Sequence, residues 1–367
     1  MAPEGLPPTR LPSETAPTRI MSNLRFAIFG AGFWTRYQLA AWRELGGVEC
    51  VALYNRTRSR AEAMAREFGI PAVYDDPERL LREVRPEFVD NITEIGGHKP
   101  LSLLCARHRV PCICQKPMAP TLADARAMVA AFERARTPFF VHENWRWQTP
   151  MQEIRRRLAS GVLGTPFRAR LTMVSGFDVF ANQPALRELG QFILTDLGTH
   201  LLDVARVLFG EADSLYCQLH RTLAPEVKGE NVATIVLSMG PARTSVVVEL
   251  GYARNPLEAG VREAFPQTLA FIEGPLGTLE LEANYRLRLT TREGTSVTRH
   301  PPPRYPWANP EYDLAHASIV DCHRDLLAAL RGRGTAGTTG TDNLRTLELV
   351  HGAYASARRN RVVTFRR

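Results

Sequence analysis

Arginine carries nearly all the positive charge of this chain. Of its 46 basic residues only three are lysines: Lys99, Lys116 and Lys228. Lys116 follows the short apolar run Pro111 to Cys114 and Gln115, and stands directly before Pro117. A lysine ammonium is compact and can lose its proton on burial, whereas guanidinium is bulky and stays charged. A lysine kept at this point, where arginine serves elsewhere, points to chemistry; the plain alternative is a surface lysine at a strand end. A second candidate lies in QFILTDLGTHLLDVARVLFG, residues 191 to 210. There Phe192, Ile193, Leu197, Leu201, Val204 and Leu208 form an apolar helical stripe. Asp196 and His200 fall one turn apart on one face, with Asp203 on a neighbouring face. An acid beside an imidazole suits hydride chemistry at an alcohol carbon, because a proton must leave as the hydride goes. The alternatives are a helix surface pair, or a cap and a satisfied histidine.

A third cluster is Val141-His142-Glu143-Asn144-Trp145-Arg146-Trp147. It gathers hydrogen-bonding groups and two indoles, which suit a polyhydroxylated ligand. Asn144 and Arg146 are the candidates there for substrate or nicotinamide binding; the alternative is an interdomain packing element.

The elements that must position these groups read as two domains. From Leu24, short apolar runs alternate with amphipathic stretches. Strands are expected at 25–29, 48–54, 73–74, 88–93, 111–114 and 139–142. Helices are expected at 33–45, 58–68, 77–84, 100–107 and 121–136, the last capped by Thr121. This alternation predicts a doubly wound parallel sheet of the Rossmann type over residues 23–147. Its first turn is Phe29-Gly30-Ala31-Gly32-Phe33-Trp34-Thr35. Gly30 allows the tight turn, and Gly32 lets the backbone approach a pyrophosphate at the helix start that Phe33 and Trp34 open. Thr35 stands where glycine or alanine is expected. An acid about 20 residues on would bind the ribose 2′-hydroxyl. Here Asn55-Arg56-Thr57-Arg58 stands instead, so NADP is permitted and NAD is not excluded. Ligands of such sheets sit beyond the carboxyl ends of the strands, which gathers Asn55, Thr93, Gln115, Lys116 and the 142–144 stretch at one edge.

After Trp147 the pattern changes. A linking helix at 150–158 precedes longer alternating runs at 167–175, 214–219, 232–239, 245–252, 269–272, 278–281 and 286–290. They predict an α+β domain over 148–367 with a mainly antiparallel open sheet. Two C-terminal helices, around 314–330 and 342–357, and a last short strand at 362–365 complete it. An exposed apolar sheet face favours a homodimer or homotetramer packed sheet to sheet.

Composition excludes several classes. The net charge is +8, but acidic residues are interspersed, and Arg155-Arg156-Arg157 on a helix point in different directions, so nucleic acid is not expected as a partner. No apolar run is long enough to span a bilayer. The six cysteines lack zinc-site spacing and read as reduced thiols in a cytoplasmic protein, with no metal expected. Residues 1–22 carry five prolines and no signal-peptide core, and are expected to be disordered; Met21 is an alternative start.

Taken together, the motifs resemble those of the Gfo/Idh/MocA family of NAD(P)-dependent oxidoreductases, over roughly residues 23 to 365. Gly30-Ala31-Gly32 is similar to the family's first-strand turn. Thr93-Glu94-Ile95-Gly96-Gly97-His98 resembles its Thr-Pro-x-x-x-His stretch, with Glu94 in place of the proline. Gln115-Lys116-Pro117 resembles its Glu-Lys-Pro, with a neutral amide in place of the glutamate that contacts the cofactor. Asp196-Leu197-Gly198-Thr199-His200 matches its Asp-x-x-x-His helix. The resemblance implies cofactor contacts from Thr93, His98, Gln115 and Lys116, and Lys116 near the reacting carbon. It implies His200 as the best candidate general base, with Asp196 holding the substrate or orienting the imidazole; family members differ in which residue takes the proton. The sequences around 115–120 and 142–148 are similar to a sugar-oxidising branch, the apiose-type aldose dehydrogenases. That implies oxidation of an aldose at C1 to a lactone, with NAD or NADP. Two further readings stand beside it: glycoside cleavage by transient oxidation, and a cofactor-holding sensor.

Overall fold

The computed structural model describes residues 23–181, 183–252 and 267–365; the expected extension 1–22 lies outside the described residues. The first half runs β1 (Leu24–Phe29), α1 (Phe33–Leu45), β2 (Val48–Tyr54), α2 (Arg58–Glu67), β3 (Val73–Tyr74) and α3 (Pro77–Val84). It continues with β4 (Phe88–Asn91), α4 (Ile95–Arg107), β5 (Cys112–Gln115), α5 (Leu122–Ala135) and β6 (Phe139–His142). Among the described residues its strands form a six-stranded sheet in the order β3-β2-β1-β4-β5-β6, with every pairing parallel. The order reverses between β1 and β4, the switch point where such sheets bind ligands. Helices cover both faces, which is why β1 and β5 carry the apolar runs Phe26–Phe29 and Cys112–Cys114; β4 is buried as well but ends in the polar Asp90 and Asn91. Thr121 caps α5 as expected, its hydroxyl accepting from Asp124 N at 3.1 Å. The helix expected from Pro100 begins earlier, at Ile95, and takes the proline into its interior. Gly97 makes the early start possible, since a Cβ there would lie 2.6 Å from Thr93 Oγ1.

The second half runs α6 (Thr149–Ala159), β7 (Arg168–Val174), a π-turn at Leu194–Gly198, α7 (Thr199–Phe209), β8 (Ala212–His220), β9 (Val232–Met239) and β10 (Thr244–Gly251). Then come β11 (Leu269–Gly274), β12 (Gly277–Glu282), β13 (Arg286–Thr291), β14 (Gly294–Arg299), α8 (Asp313–Leu330), α9 (Gly340–Arg359) and β15 (Val363–Thr364). Among the described residues the strands order as β14-β13-β12-β11-β7-β10-β9-β8-β15, antiparallel except for the β7–β10 pair. One face of this sheet is buried: Leu171, Ile235, Leu237, Val246 and Val248 share a core with Ile154 of α6, Leu201 and Val204 of α7, and Val350 of α9. Among the described residues the other face stays open. Strand β14, GTSVTR, escaped the sequence reading because it is exposed throughout and lacks an apolar face.

The last two helices do not belong to one half alone. Cys322, Leu326 and Leu327 of α8 share a core with Phe26, Ile28 and Trp42. Leu347 of α9 packs with Phe139 and Val141. Val141 N also donates to Thr338 O at 2.8 Å, and Phe140 pairs with Thr339, so the free edge of β6 is covered. Burying these apolar faces joins the two halves.

Candidate active site

The glycine turn at the end of β1 carries out two tasks with two residues. Gly30 has φ +107°, and a Cβ on it would lie 2.8 Å from Ile92 O, so only glycine fits. Gly32 has an ordinary φ of −93°, and a Cβ there would meet nothing within 4 Å. That open space faces the start of α1, where unpaired amides favour an anion. Thr35, the departure from the fingerprint, knits the turn: its hydroxyl accepts from Gly32 N at 3.1 Å and donates to Gly30 O at 3.2 Å. Asn55 Oδ1 accepts from Ala31 N at 3.1 Å, so its side chain braces the turn from the end of β2, while Arg56 is exposed beside it. Phe33 and Trp34 lie with their rings 6.2 Å from Tyr312. The turn thus fits a dinucleotide pyrophosphate.

Thr93, His98 and Gln115 sit where the sequence placed them, but their side chains turn to the protein. His98 is buried, with Nδ1 2.9 Å from Pro117 O and Nε2 2.9 Å from Thr93 O. Expected as a cofactor contact, it instead sits between the Thr93 loop and the Lys116-Pro117 loop, where the one N–H of the neutral ring donates to one of these two carbonyls. Burial pulls its pKa down. Thr93 Oγ1 donates to Asn91 Oδ1 at 2.7 Å, and Gln115 Oε1 accepts from Lys116 N at 2.9 Å.

Lys116 crosses to the second half. Its Nζ donates to Asp196 Oδ1 at 3.1 Å and Asp196 O at 3.3 Å, with both side chains partly open. The expectation that Asp196 orients the imidazole is corrected by this pairing. His200 turns to another acid: its Nδ1 lies 2.6 Å from Glu143 Oε1. The indole of Trp145 stacks on the imidazole, centroids 4.1 Å apart and planes 23° apart. The reason is local. Asp196 sits in the π-turn, one residue looser than an α-turn, and α7 proper starts at Thr199. Glu230 anchors the turn's start, accepting from Phe192 N at 3.0 Å and from Tyr354 Oη at 2.6 Å. Glu143 is fully buried, which pushes its pKa up to about 7 against the pull of the Lys116 charge. Burial, then the Lys116 charge, push His200 well below its ordinary value.

Asn144 and Arg146, expected at the substrate, are placed elsewhere. Asn144 Nδ2 donates to Ser318 Oγ at 2.7 Å and Ala315 O at 3.1 Å on α8. Arg146 Nε donates to Asp203 Oδ2 at 2.6 Å, and its Nη2 to Asp342 Oδ2 at 2.8 Å. Asp203 is wholly buried, so the guanidinium is spent neutralising it at the junction. This is the interdomain alternative. The residue missed from the sequence is Glu143. Its signal was an acid directly after a buried strand, at the ligand edge of the sheet. Among the described residues no group of three or more His, Cys, Asp or Glu is placed to hold a metal, and no helix is long and apolar enough to cross a membrane.

Comparison with known proteins places this arrangement. The chain is 44% identical over 349 residues to a D-apiose dehydrogenase of Paraburkholderia graminis, covering 95% of this chain and 92% of the relative. The chain belongs to the Gfo/Idh/MocA oxidoreductase family. The family's domain described as "Oxidoreductase family, NAD-binding Rossmann fold" matches residues 24–143, and the GFO/IDH/MocA C-terminal domain matches residues 151–286. A D-apiose dehydrogenase of Rhizobium rhizogenes is 39% identical, over 94% of this chain and 98% of that one. Among solved structures, an oxidoreductase from Agrobacterium radiobacter in complex with NAD+, L-tartaric acid and magnesium is 38% identical. It superposes with a TM-score of 0.89 over 94% of this chain and 98% of its own. As a member of this family the chain is an NAD-dependent oxidoreductase, and residues 24–143 form its NAD-binding domain.

Proposed function

We propose that this protein oxidises an aldose at C1 to its lactone, with D-apiose as the preferred sugar and NAD as the acceptor. What carries the reading is the near-full-length similarity to two D-apiose dehydrogenases, joined to a Lys116–Asp196 pair and a buried His200 at the ligand edge of the sheet. The turn at Gly30 and Gly32 would hold NAD, which would supply the hydride acceptor. Lys116 donates to the sugar oxygen and stabilises the negative charge that grows on it. Asp196 holds the ammonium in place, and His200 Nε2 removes the hydroxyl proton. His98 and Gln115 shape the loop that presents Lys116. Thr93, Phe33 and Trp34 line the cofactor side, and Asn55 with Arg56 sets the preference between NAD and NADP.

The open face of the C-terminal sheet carries exposed Val174, Val236 and Leu269. It supports a homodimer or homotetramer packed through that face. Six free cysteines support a reducing compartment, the cytoplasm. The test is reduction of NAD and NADP, followed by absorbance, across a panel of aldoses and polyols that includes D-apiose. Reduction with D-apiose and NAD is expected. Free sugar released from a glycoside without net reduction would instead support the cleaving activity.

A further inference from the structure

We propose that Glu143 is the positioning residue of the catalytic base. Its carboxylate fixes His200 in the tautomer that leaves Nε2 unprotonated toward the substrate, and it supplies the counter-charge when Nε2 takes the alcohol proton. The inference rests on the dehydrogenase reading above.

The geometry begins with the 2.6 Å contact between Glu143 Oε1 and His200 Nδ1. Above its raised pKa of about 7 Glu143 is ionised and only accepts, so there Nδ1 carries the hydrogen and the lone pair lies on Nε2. The carboxylate is immobilised: its exposure is 0%, and Oε1 also accepts from Trp145 N at 3.2 Å. The same Trp145 fixes the plane of the imidazole by stacking on it. The acid one turn before His200 is not available, because Asp196 binds Lys116. Among the described residues no other hydrogen bond reaches the His200 ring.

The charges around the pair make a contacting carboxylate necessary. His200 is almost wholly buried, and the Lys116 ammonium opposes its protonation, while Asp196 and Asp203 favour it from a distance. Glu143 faces Lys116 and Arg146, which favour its ionised form, and Asp342, which opposes it. An imidazolium forming there without a touching anion would carry the full desolvation penalty. The step balances as follows. The C–H bond breaks with its electron pair, and hydride leaves for NAD. The O–H bond breaks as its proton moves to His200 Nε2, and the carbon gains its second bond to oxygen. Nδ1 keeps its hydrogen, Glu143 stays ionised, and Nε2 returns the proton to solvent after product departs. The arrangement parallels the role of the aspartate in a serine protease triad.

The experiment uses the full chain with Glu143→Gln, Glu143→Asp and Glu143→Ala. The Gln variant still accepts from Nδ1–H but carries no charge. Its kcat is expected to fall by a factor on the order of 10² to 10⁴, with KM and NAD affinity changed only a few-fold. Losing the counter-charge makes the imidazole less basic, so the acid limb of its kcat profile moves to lower pH. Glu143→Asp recovers part of the rate. In parallel, NMR of the wild-type protein with nitrogen-labelled histidine, assigned by His200→Gln, should show His200 as the Nδ1–H tautomer, lost in Glu143→Ala. Wild-type kcat with an unmoved acid limb in Glu143→Gln would overturn the proposal, as would an Nε2–H tautomer in the wild type. If the wild type oxidises no aldose, the function reading fails while the tautomer still decides for or against Glu143. Should Glu143→Ala not fold, the Gln variant and the wild-type spectrum carry the decision.

Discussion

Replacing Lys116 by alanine is the most direct probe of the site. The structure sets the size of the effect. An ammonium about 4 Å from a full oxyanion is worth about 4 kcal/mol at an effective dielectric of about 20. Removing one preorganised donor to an oxyanion costs about 2.7–4 kcal/mol, or about 10² to 10³ in kcat. Asp196 lies 3.1 Å from Nζ and already offsets part of the charge, so the lower end, about 10², is expected. Lys116→Arg should not rescue the rate, because the bulkier guanidinium cannot both keep the Asp196 contact and enter the same space. The assay is initial-rate kinetics at saturating NAD and sugar, with NAD affinity measured separately by binding. Affinity should hold within a few-fold, since the glycine turn is untouched. A Lys116→Ala enzyme whose kcat stays within a few-fold of wild type, or whose loss lies wholly in KM, would refute the assignment of Lys116 to the reacting oxygen.

Other positions separate fold from function. Gly30→Ala forces a Cβ against Ile92 O at positive φ and should cost more than about 1 kcal/mol of stability, read in denaturant unfolding. Gly32→Ala meets no protein atom, so it should fold normally and weaken NAD binding alone. Arg146→Met leaves buried Asp203 with only the Thr346 hydroxyl and the more distant Arg206 guanidinium at 3.7 Å, and should cost about 3 kcal/mol, the lower end for a broken buried pair, with little change in KM of any protein that remains folded. Asp90 is buried, accepts from Trp42 Nε1 at 2.9 Å, and has its pKa pushed up to about 7 by burial. The folded chain therefore binds this proton more tightly than the unfolded chain, whose value is about 3.9, so stability falls as pH rises between the two. Asp90→Asn should stabilise by roughly 1–3 kcal/mol above neutral pH and give no gain near pH 4, after allowing for its unpaired amide; equal effects at both ends would contradict the buried-acid account.

The order of strands and helices in the first half was legible because its strands are buried on both faces and its breakers are glycine and proline. The glycine turn and Lys116 were legible for the same local reason. The partners of the proposed catalytic groups were not. Lys116 meets Asp196 across 80 residues, and Glu143 meets His200 across 57. Spacing along one helix suggested an Asp196–His200 pair because it assumed α geometry, whereas the π-turn lets the two side chains find different partners. Arg146 read as a free binding group because its carboxylates, Asp203 and Asp342, lie on two later helices. The division at residue 148 was drawn from a change of pattern, which does not reveal that α8 and α9 return to pack on the first half.

That return has a mechanical consequence. The chain crosses between its halves just after β6, the place where a two-part enzyme would bend. Here Arg146 is bolted at the crossover to a wholly buried Asp203 on one later helix and to Asp342 on another, and Asn144 is tied to a third. Bending there would draw a guanidinium away from a carboxylate in a dry interior, a far larger cost than thermal motion supplies. The crossover is therefore a weld rather than a hinge. The two halves are held together at this crossover, so any opening that admits sugar and releases product has to come from other loops and side chains.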